Sequence, residues 1–260
     1  MTGESDKILT QRSGAVLTIT INMPEVRNAL DNEAALALGK ALSEFDEDTG
    51  LHVAILTGAG GAFCAGADLK ALASGTDYFP WAGSEQGPLR AALSKPVIAA
   101  IAGTACAGGL GVALFCDIRI AEENATFGVF SRRWGVPMSD GTTVRLPRLI
   151  GQARALDMLI TGRAVSAREA LDWGLATRLV PTGMALKAAT ELAQQVAAFP
   201  QIALRSDRRS AYEQANFDFP GAVAREAELA SEARAREAMP GAKRFAEGKG
   251  RHGSFLDLQD

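Results

Sequence analysis

Hydrophobic and polar positions alternate at the start of the chain and then change to a helical period. Residues 16–21 read VLTITI, the period of two that is typical of a half-buried strand. Asp31 and Asn32 follow as helix-capping residues, and an apolar face recurs over 36–45. The pattern therefore predicts a strand, a turn and an amphipathic helix in that order.

The same alternation continues through the next hundred residues. A strand is expected over 53–57, a short helix near Ala67, a buried strand in KPVIAAIAG and a helix opened by glycines in AGGLGVALF. CDIRIAEENATFG supplies two more short strands. Between them, residues 74–88 are rich in turn formers, and we interpret them as a mobile surface excursion and a candidate lid. Strands that alternate with helices predict an α/β fold.

The last third of the chain is predicted to be mainly helical. The chain turns helical from Gly141, and Ser166 to Glu169 forms a capping box. Beyond Pro181 little strand signal remains, and Pro200 is the main break. We therefore divide the chain into a core over 1–195 and a helical C-terminal segment over 196–260.

Composition and charge exclude several classes of function. The 260 residues are 47% hydrophobic and 22% charged, and 30 acidic against 27 basic side chains give a net charge of −3. No overall positive field attracts nucleic acid or an anionic membrane. The sequence has no apolar run of the roughly 20 residues that span a bilayer and no visible secretory signal, so a cytoplasmic location is expected. Its three cysteines are expected to be reduced packing residues, and no metal site is expected.

Two glycine-rich stretches that follow strands carry the most informative chemistry. They are FCAGAD, residues 63–68, and GTACAGGLG, residues 103–111. Where a strand gives way to a helix, unpaired backbone N–H groups point out of the turn. Two such groups that converge on one carbonyl oxygen make an oxyanion hole, in which one donor contributes about 3 kcal/mol to transition-state stabilisation. The alternative is that these glycines only permit tight turns and close helix packing.

The ordered set AFCAGADL, KPVIAAIAG, AGGLGVALFCDIRIA, ATFG, GTTVRLPRLIG and AREALDWGLATRLVP resembles the crotonase, or enoyl-CoA hydratase/isomerase, superfamily over roughly residues 10–200. The resemblance implies a spiral of ββα units, a helical C-terminal region for oligomerisation and a homotrimer or hexamer. It also implies an acyl-CoA thioester as substrate, with coenzyme A as part of the substrate and no further cofactor. By position, Ala67 and Gly108 would supply the oxyanion-hole amides.

The resemblance also implies which residues meet the coenzyme A portion of the substrate. The adenine would be met by backbone around Ala65 and Asp68, with Arg27 near the phosphates. Lys249 would reach the phosphates of a neighbouring subunit. For Asp68, helix capping is the alternative role.

The sequence departs from the family pattern at the two positions where hydratases of this family carry glutamates. By resemblance these positions are Gly111 and Ser131, and neither residue replaces a carboxylate because serine needs an adjacent base to transfer protons. Asp140 is the remaining acid–base candidate. The functional aspartate of some relatives falls one residue away, opposite Ser139, and Asp140 is also a natural cap for a helix that starts near Thr142.

The residue types of the three positions after Ser131 predict their burial and their roles. Arg132 and Arg133 are expected at the surface, with carboxylate binding as the alternative. Trp134 is expected to pack in the core, with an acyl-pocket wall as the alternative. A serine triad would need His52 or His252 beside Ser131, which is not expected.

Two hypotheses follow from the sequence. The first is an acyl-CoA-processing enzyme that stabilises a thioester enolate and favours proton shuttling or isomerisation over two-glutamate hydration. The second is a non-catalytic acyl-CoA-binding paralogue that has kept the thioester site.

Overall fold

A computed structural model describes residues 7–75, 78–90 and 92–249 of the chain. Lys249 is the last described residue, and His252 lies outside the described part. The described strands are β1 Ile8–Ser13, β2 Val16–Ile21, β3 Val53–Gly58, β4 Val97–Ile101, β5 Thr104–Cys106, β6 Ile118–Glu122, β7 Thr126–Gly128, β8 Val165–Ser166 and β9 Arg178–Val180.

The described α-helices are α1 Asn32–Glu47, α2 Leu69–Ala73, α3 Gly108–Phe115, α4 Thr142–Ile150, α5 Gln152–Thr161, α6 Ala167–Asp172, α7 Ala185–Ala197, α8 Gln201–Glu213, α9 Phe219–Ala233 and α10 Met239–Ala246. Among the described helices, α1, α2, α6 and α9 begin at a side-chain N-cap. The Asp31 side chain accepts from the Ala34 amide, and the Ser166 hydroxyl accepts from the Glu169 amide.

A six-stranded sheet in the order β1-β2-β3-β4-β6-β9 forms the centre of the fold, and all its neighbouring strands are parallel except β1 and β2. The central strands are buried on both faces, as parallel strands covered by helices must be. On β3, Val53 and Ile55 pack in one apolar cluster with residues of α7. Ala54 and Leu56 pack in the other cluster with residues of α1.

A second sheet, β5-β7-β8, makes the repeated strand–strand–helix units of the fold. In one unit β4 leads into β5 and then α3, and in the next β6 leads into β7 and, through the 3₁₀ turn Phe130–Trp134, into α4. Cys64, which follows β3, pairs with Ala105 of β5 through a single parallel bridge. The chain segments after β3 and after β4 therefore lie side by side.

The C-terminal region is helical, as the sequence predicts, and α8 is anchored to the core through one carboxylate. Asp117, between α3 and β6, accepts hydrogen bonds from Arg208 at 2.8 Å and Tyr212 at 2.6 Å, both on α8. Its other oxygen accepts from the Val97 amide. Pro200 separates α7 from α8 as expected, and the division at 195/196 stays a prediction.

Several local expectations are settled by the structure. The three cysteines are free and buried, which confirms their packing role. The pattern gave no sign of β1, because this edge strand exposes five of its six residues. The expectation of a surface excursion over 74–88 is wrong for Trp81, which is 2% exposed. The expectation that Trp134 packs in the core is wrong, since this side chain is 70% exposed, and its alternative role as an acyl-pocket wall stays a prediction.

None of the described helices has both the length and the apolar character needed to cross a membrane. The cytoplasmic location stays a prediction.

Candidate active site

The first bend of the site follows β3 and is held against the loop before α1. The Leu30 amide donates to the Gly66 carbonyl, and the Asp68 amide donates to the Leu30 carbonyl. Gly66 has φ +103°, a backbone conformation that disfavours residues with a β-carbon. The amide of Ala67 lies between these two bonds, and it donates to no atom of the described chain.

The second bend leads from β5 into α3 and carries strained backbone. Ala107, the N-cap of α3, has φ 49° and ψ −126°, which is unfavourable for a residue with a β-carbon. Its amide is held by the Gly128 carbonyl at 2.8 Å. Gly108 is the first residue of α3, so its amide has no intrahelical acceptor. This amide is therefore available to an acceptor outside the helix.

The two bends touch each other at their glycines. A β-carbon at Gly66 would lie 2.8 Å from the Gly108 nitrogen and 2.9 Å from the Ala107 β-carbon. A β-carbon at Gly109 would overlap the Cys64 carbonyl. Small residues are therefore required on both sides of the contact. The unpaired amides of Ala67 and Gly108, two of the residues singled out in the sequence, flank this contact.

An aromatic side chain covers the contact. A β-carbon at Gly108 would lie 2.5 Å from Cζ3 of Trp81, so the ring lies directly against the Gly108 backbone. Trp81, Tyr78 and Ala67 also line a small cavity of about 20 Å³ beside the first bend. This space is enough for about one water molecule.

The segment that carries Trp81 is tied to the loop before α4. The Tyr78 hydroxyl lies 2.8 Å from the Ser139 hydroxyl, and the Ala82 amide donates to the Ser139 carbonyl at 2.9 Å. Arg145 of α4 donates to the Leu89 carbonyl at 3.1 Å and to the Asp140 carbonyl at 3.0 Å. Residues 78–90 and the Ser139–Asp140 loop thus form one connected wall of the site.

Asp140 occupies the space that Gly111 leaves open. A β-carbon at Gly111 would lie 2.7 Å from the Asp140 β-carbon and 2.8 Å from its Oδ1. Gly111 and Gly108 are three residues apart on α3 and so share one face of the helix. The Asp140 carboxyl therefore lies on the same side of α3 as the free Gly108 amide.

The environment of Asp140 favours its protonated form. The residue is 2% exposed, and burial raises the pKa of its carboxyl above the usual value. The Thr142 amide opposes this rise by donating to Oδ1 at 2.9 Å. Asp140 consequently binds the amide of the first residue of α4. Gly141, however, is the N-cap of this helix, so the expectation that Asp140 is the N-cap is wrong by one residue.

The other candidates around Ser131 do not form a second catalytic group. The buried Ser131 hydroxyl donates to Sδ of Met138 at 3.4 Å. Nδ1 of His52 lies 3.0 Å from the Ala197 carbonyl, where the ring is held by α7. Arg132 and Arg133 are exposed, which confirms the surface expectation. Within the described ranges, no three His, Cys, Asp or Glu side chains are grouped so that they would hold a metal ion.

The residues expected at the coenzyme A portion are only partly brought together. Ala65 donates its amide to the carbonyl of Arg27, whose side chain is exposed. Asp68 is the N-cap of α2 and accepts from the Lys70 amide at 2.8 Å, which is the capping alternative. Lys249 follows α10, where its amide donates to the Arg244 carbonyl, and no hydrogen bond within the described part of the chain joins it to the other three.

Sequence reasoning missed two residues that shape the site. Trp81 and Arg145 lie in or against the segment 78–90, which has no hydrophobic period that would reveal a buried side chain. A signal existed only for Trp81: a large aromatic residue among turn formers is more often buried than exposed.

Comparison with known proteins decides the family. The family model described as enoyl-CoA hydratase/isomerase matches residues 11–252 of the chain. The chain belongs to the enoyl-CoA hydratase/isomerase family. This membership confirms the crotonase-like α/β fold expected from the sequence. The expected acyl-CoA class of substrate is consistent with the family.

Individual relatives agree with this assignment. An enoyl-CoA hydratase of Mycobacterium tuberculosis is 40% identical over 209 residues, which cover 78% of this chain and 79% of the relative. A carnitinyl-CoA dehydratase of Salmonella typhi is 40% identical over 198 residues, 74% of this chain and 75% of the relative. The crystal structure of an enoyl-CoA hydratase from Mycobacterium marinum superimposes with a TM-score of 0.88 at 34% identity, covering 94% of this chain and 96% of that one.

The contact between the bends predicts a difference between two glycine substitutions. Gly66→Ala and Gly75→Ala both place a β-carbon at positive φ, +103° and +80°, but only Gly66 is surrounded by other atoms. We expect Gly75→Ala to cost about 1 kcal/mol of unfolding free energy from backbone strain alone. Gly66→Ala should cost clearly more, because the Gly108 turn must also move. Urea denaturation measures both, and equal losses would contradict the close contact.

Proposed function

We propose that this chain processes acyl-CoA thioesters by stabilising an enolate, with the backbone amides of Ala67 and Gly108 as the oxyanion hole. The observation that carries the proposal is the contact of the two bends at Gly66 and Gly108. It supports an oxyanion hole because the Ala67 amide directly follows Gly66, and neither this amide nor that of Gly108 is paired within the described chain. Each donor of this kind contributes about 3 kcal/mol when negative charge develops on the oxygen. Membership of an acyl-CoA-processing family supports the thioester as the source of that oxygen.

The chemistry follows from polarising the thioester carbonyl. Donation from both amides acidifies the α-carbon, so a nearby base removes an α-proton and the bond electrons move into the enolate. When a proton returns at the α-carbon or further along the chain, the enolate collapses to a thioester. Hydration, dehydration and double-bond isomerisation in acyl-CoA esters all use this intermediate.

Asp140 is the acid–base group in this proposal. Its carboxyl lies against α3 at Gly111, the position at which the resemblance expects a hydratase glutamate. Burial raises its pKa, which brings the carboxyl closer to the range in which it both takes and returns a proton. The position of the second glutamate holds Ser131, whose hydroxyl donates to the thioether of Met138 and to no other group among residues 7–75, 78–90 and 92–249.

A single acid–base group favours proton transfer over addition of water. The relatives are named as a hydratase and a dehydratase. Hydration needs a base that activates the attacking water, and dehydration needs an acid that protonates the leaving hydroxyl, in addition to the group that moves the α-proton. With Asp140 alone, we propose that isomerisation of a 3-enoyl thioester to the 2-enoyl form is faster than hydration of the 2-enoyl form.

Incubation of 3-butenoyl-CoA in D₂O tests this directly, because enolate formation appears as α-deuteration by NMR and isomerisation appears as crotonyl-CoA. We expect Asp140→Asn to slow α-deuteration by about 100-fold or more, the contribution of a positioned acid–base group. Ser131→Ala, also buried and next to the site, is the matched control and should retain the wild-type rate. The binding of butyryl-CoA should persist in both variants, because neither donates to the thioester oxygen.

The pH profile gives an independent readout. The wild-type exchange rate should fall as pH drops through the raised pKa of Asp140, since a protonated carboxyl accepts no proton, and this limb should lie above the ordinary aspartate value of 3.8. Asp140→Asn should lose the limb. If Asp140→Asn exchanges as fast as wild type, Asp140 only holds the start of α4. If the wild type binds CoA esters and exchanges nothing, the non-catalytic paralogue is the correct description.

The proposal also assigns the coenzyme A portion. The backbone at Ala65 and Asp68 would meet the adenine beside the first bend, and the exposed Arg27 side chain would lie near the phosphates. The hydrogen bond from Ala65 to the Arg27 carbonyl supports a shared surface for these residues. The Lys249 side chain would reach the coenzyme A phosphates bound to a neighbouring subunit. Coenzyme A enters as part of the substrate, and the proposal needs no further cofactor.

Assembly into a homotrimer or hexamer belongs to the same proposal. Support comes from large apolar side chains exposed on the C-terminal helices, among them Phe219 at 82%, Met239 at 65% and Phe245 at 64%. Soluble monomers rarely leave large contiguous apolar patches uncovered. Light scattering on the purified chain should give three or six times the 27.2 kDa chain mass, and a monomer mass would contradict this assembly.

A further inference from the structure

The Trp81 ring is the largest side chain in contact with the proposed oxyanion hole. It touches the backbone of Gly108, one amide donor, and lines the same small cavity as Ala67, the other donor. The side chain is fully enclosed, at 2% exposure. An acyl group whose carbonyl oxygen reaches both amides must therefore extend past or against this ring.

The space left beside Trp81 is small. The cavity lined by Trp81, Tyr78, Leu72 and Ala67 measures about 20 Å³, which holds about one water molecule. Pockets that bury larger ligands typically measure about 300 Å³ or more. An acyl chain that extends into this cavity thus needs room that Trp81 occupies.

The ring is backed by a wall that resists displacement. The Trp81 carbonyl accepts from the Leu89 amide at 2.8 Å, and a β-carbon at Gly87 would lie 2.5 Å from the same carbonyl oxygen. The amide of the next residue, Ala82, donates a hydrogen bond to the Ser139 carbonyl. The Leu89 carbonyl accepts a hydrogen bond from the Arg145 side chain. Moving Trp81 far enough for a long chain would break contacts on both sides of the segment.

We infer that Trp81 is the specificity-determining residue of the acyl pocket and restricts the site to short acyl groups. The inference rests on the proposed function, because it takes the thioester carbonyl to lie at Ala67 and Gly108. A hydrophobic wall discriminates by size, and one methylene too many costs about 10-fold or more in binding where the wall does not give way.

Calorimetric binding of butyryl-CoA, octanoyl-CoA and free coenzyme A tests the inference without depending on which reaction is catalysed. For the wild type we expect butyryl-CoA to bind at least about 10-fold more tightly than octanoyl-CoA. In Trp81→Ala the preference should disappear or reverse, because the vacated ring volume admits the longer chain. Trp134→Ala is the matched control, since this tryptophan is 70% exposed, and it should keep the wild-type preference.

Trp81→Phe guards against loss of folding in the alanine variant. It retains much of the aromatic bulk, so its preference should lie between those of the wild type and Trp81→Ala. Equal binding of the two esters by the wild type, or an unchanged ratio in both Trp81 variants, overturns the inference while leaving the thioester site intact. If the wild type binds neither ester more tightly than free coenzyme A, the proposed function itself fails.

Discussion

The contact between two backbone bends at Gly66 and Gly108 is the constraint on which the candidate site depends. Neither side tolerates a β-carbon, since Gly66 lies against Gly108 and Ala107, and Gly108 lies against Trp81. Protein interiors are packed closely enough that even one added methyl group at such a contact must displace its neighbours. The strained backbone of Ala107 lies at this same contact, directly before the first amide of α3.

The pairing of Gly111 with Asp140 extends this constraint to the acid–base group. A side chain at position 111 would occupy the space that the Asp140 carboxyl fills. The carboxyl of Asp140 can therefore lie against α3 only because residue 111 is a glycine. Arg145 donates to the Asp140 carbonyl, and the carboxyl itself accepts from the Thr142 amide. Burying a carboxyl is costly for folding, and buried carboxyls with a shifted pKa are typical of groups retained for chemistry.

Much of the fold could be predicted because its signals are local. The alternation in 16–21, the caps at Asp31 and Ser166 and the break at Pro200 each act within a few residues, and each holds in the structure. Trp81 and Trp134 could not be placed in this way. Their burial depends on partners far along the chain, such as Gly108 for Trp81, and a hydrophobic period carries no information about those partners.

The candidate site was predictable only where the sequence itself carries its geometry. The sequence shows two glycine-bearing turns that follow strands. In the structure, the parallel bridge between Cys64 and Ala105 brings these two turns side by side. The contact between Gly111 and Asp140 could not be predicted in this way. It brings a helix against a loop 29 residues further along the chain, and it depends on how the two pack. Resemblance indicated Gly111 and placed the relatives' aspartate opposite Ser139, one residue from Asp140. Only the structure shows that a side chain at 111 and the Asp140 carboxyl would occupy the same space.

The thioester carbonyl itself reports most directly on the central claim. Isotope-edited infrared spectroscopy of butyryl-CoA labelled with ¹³C at this carbonyl compares its stretching frequency free and bound to the protein. The account predicts a lower frequency in the bound state, because two backbone amides polarise the C=O bond, and Asp140→Asn should keep that shift because the amides are separate from the acid. A bound carbonyl at the frequency of the free ester would contradict the account.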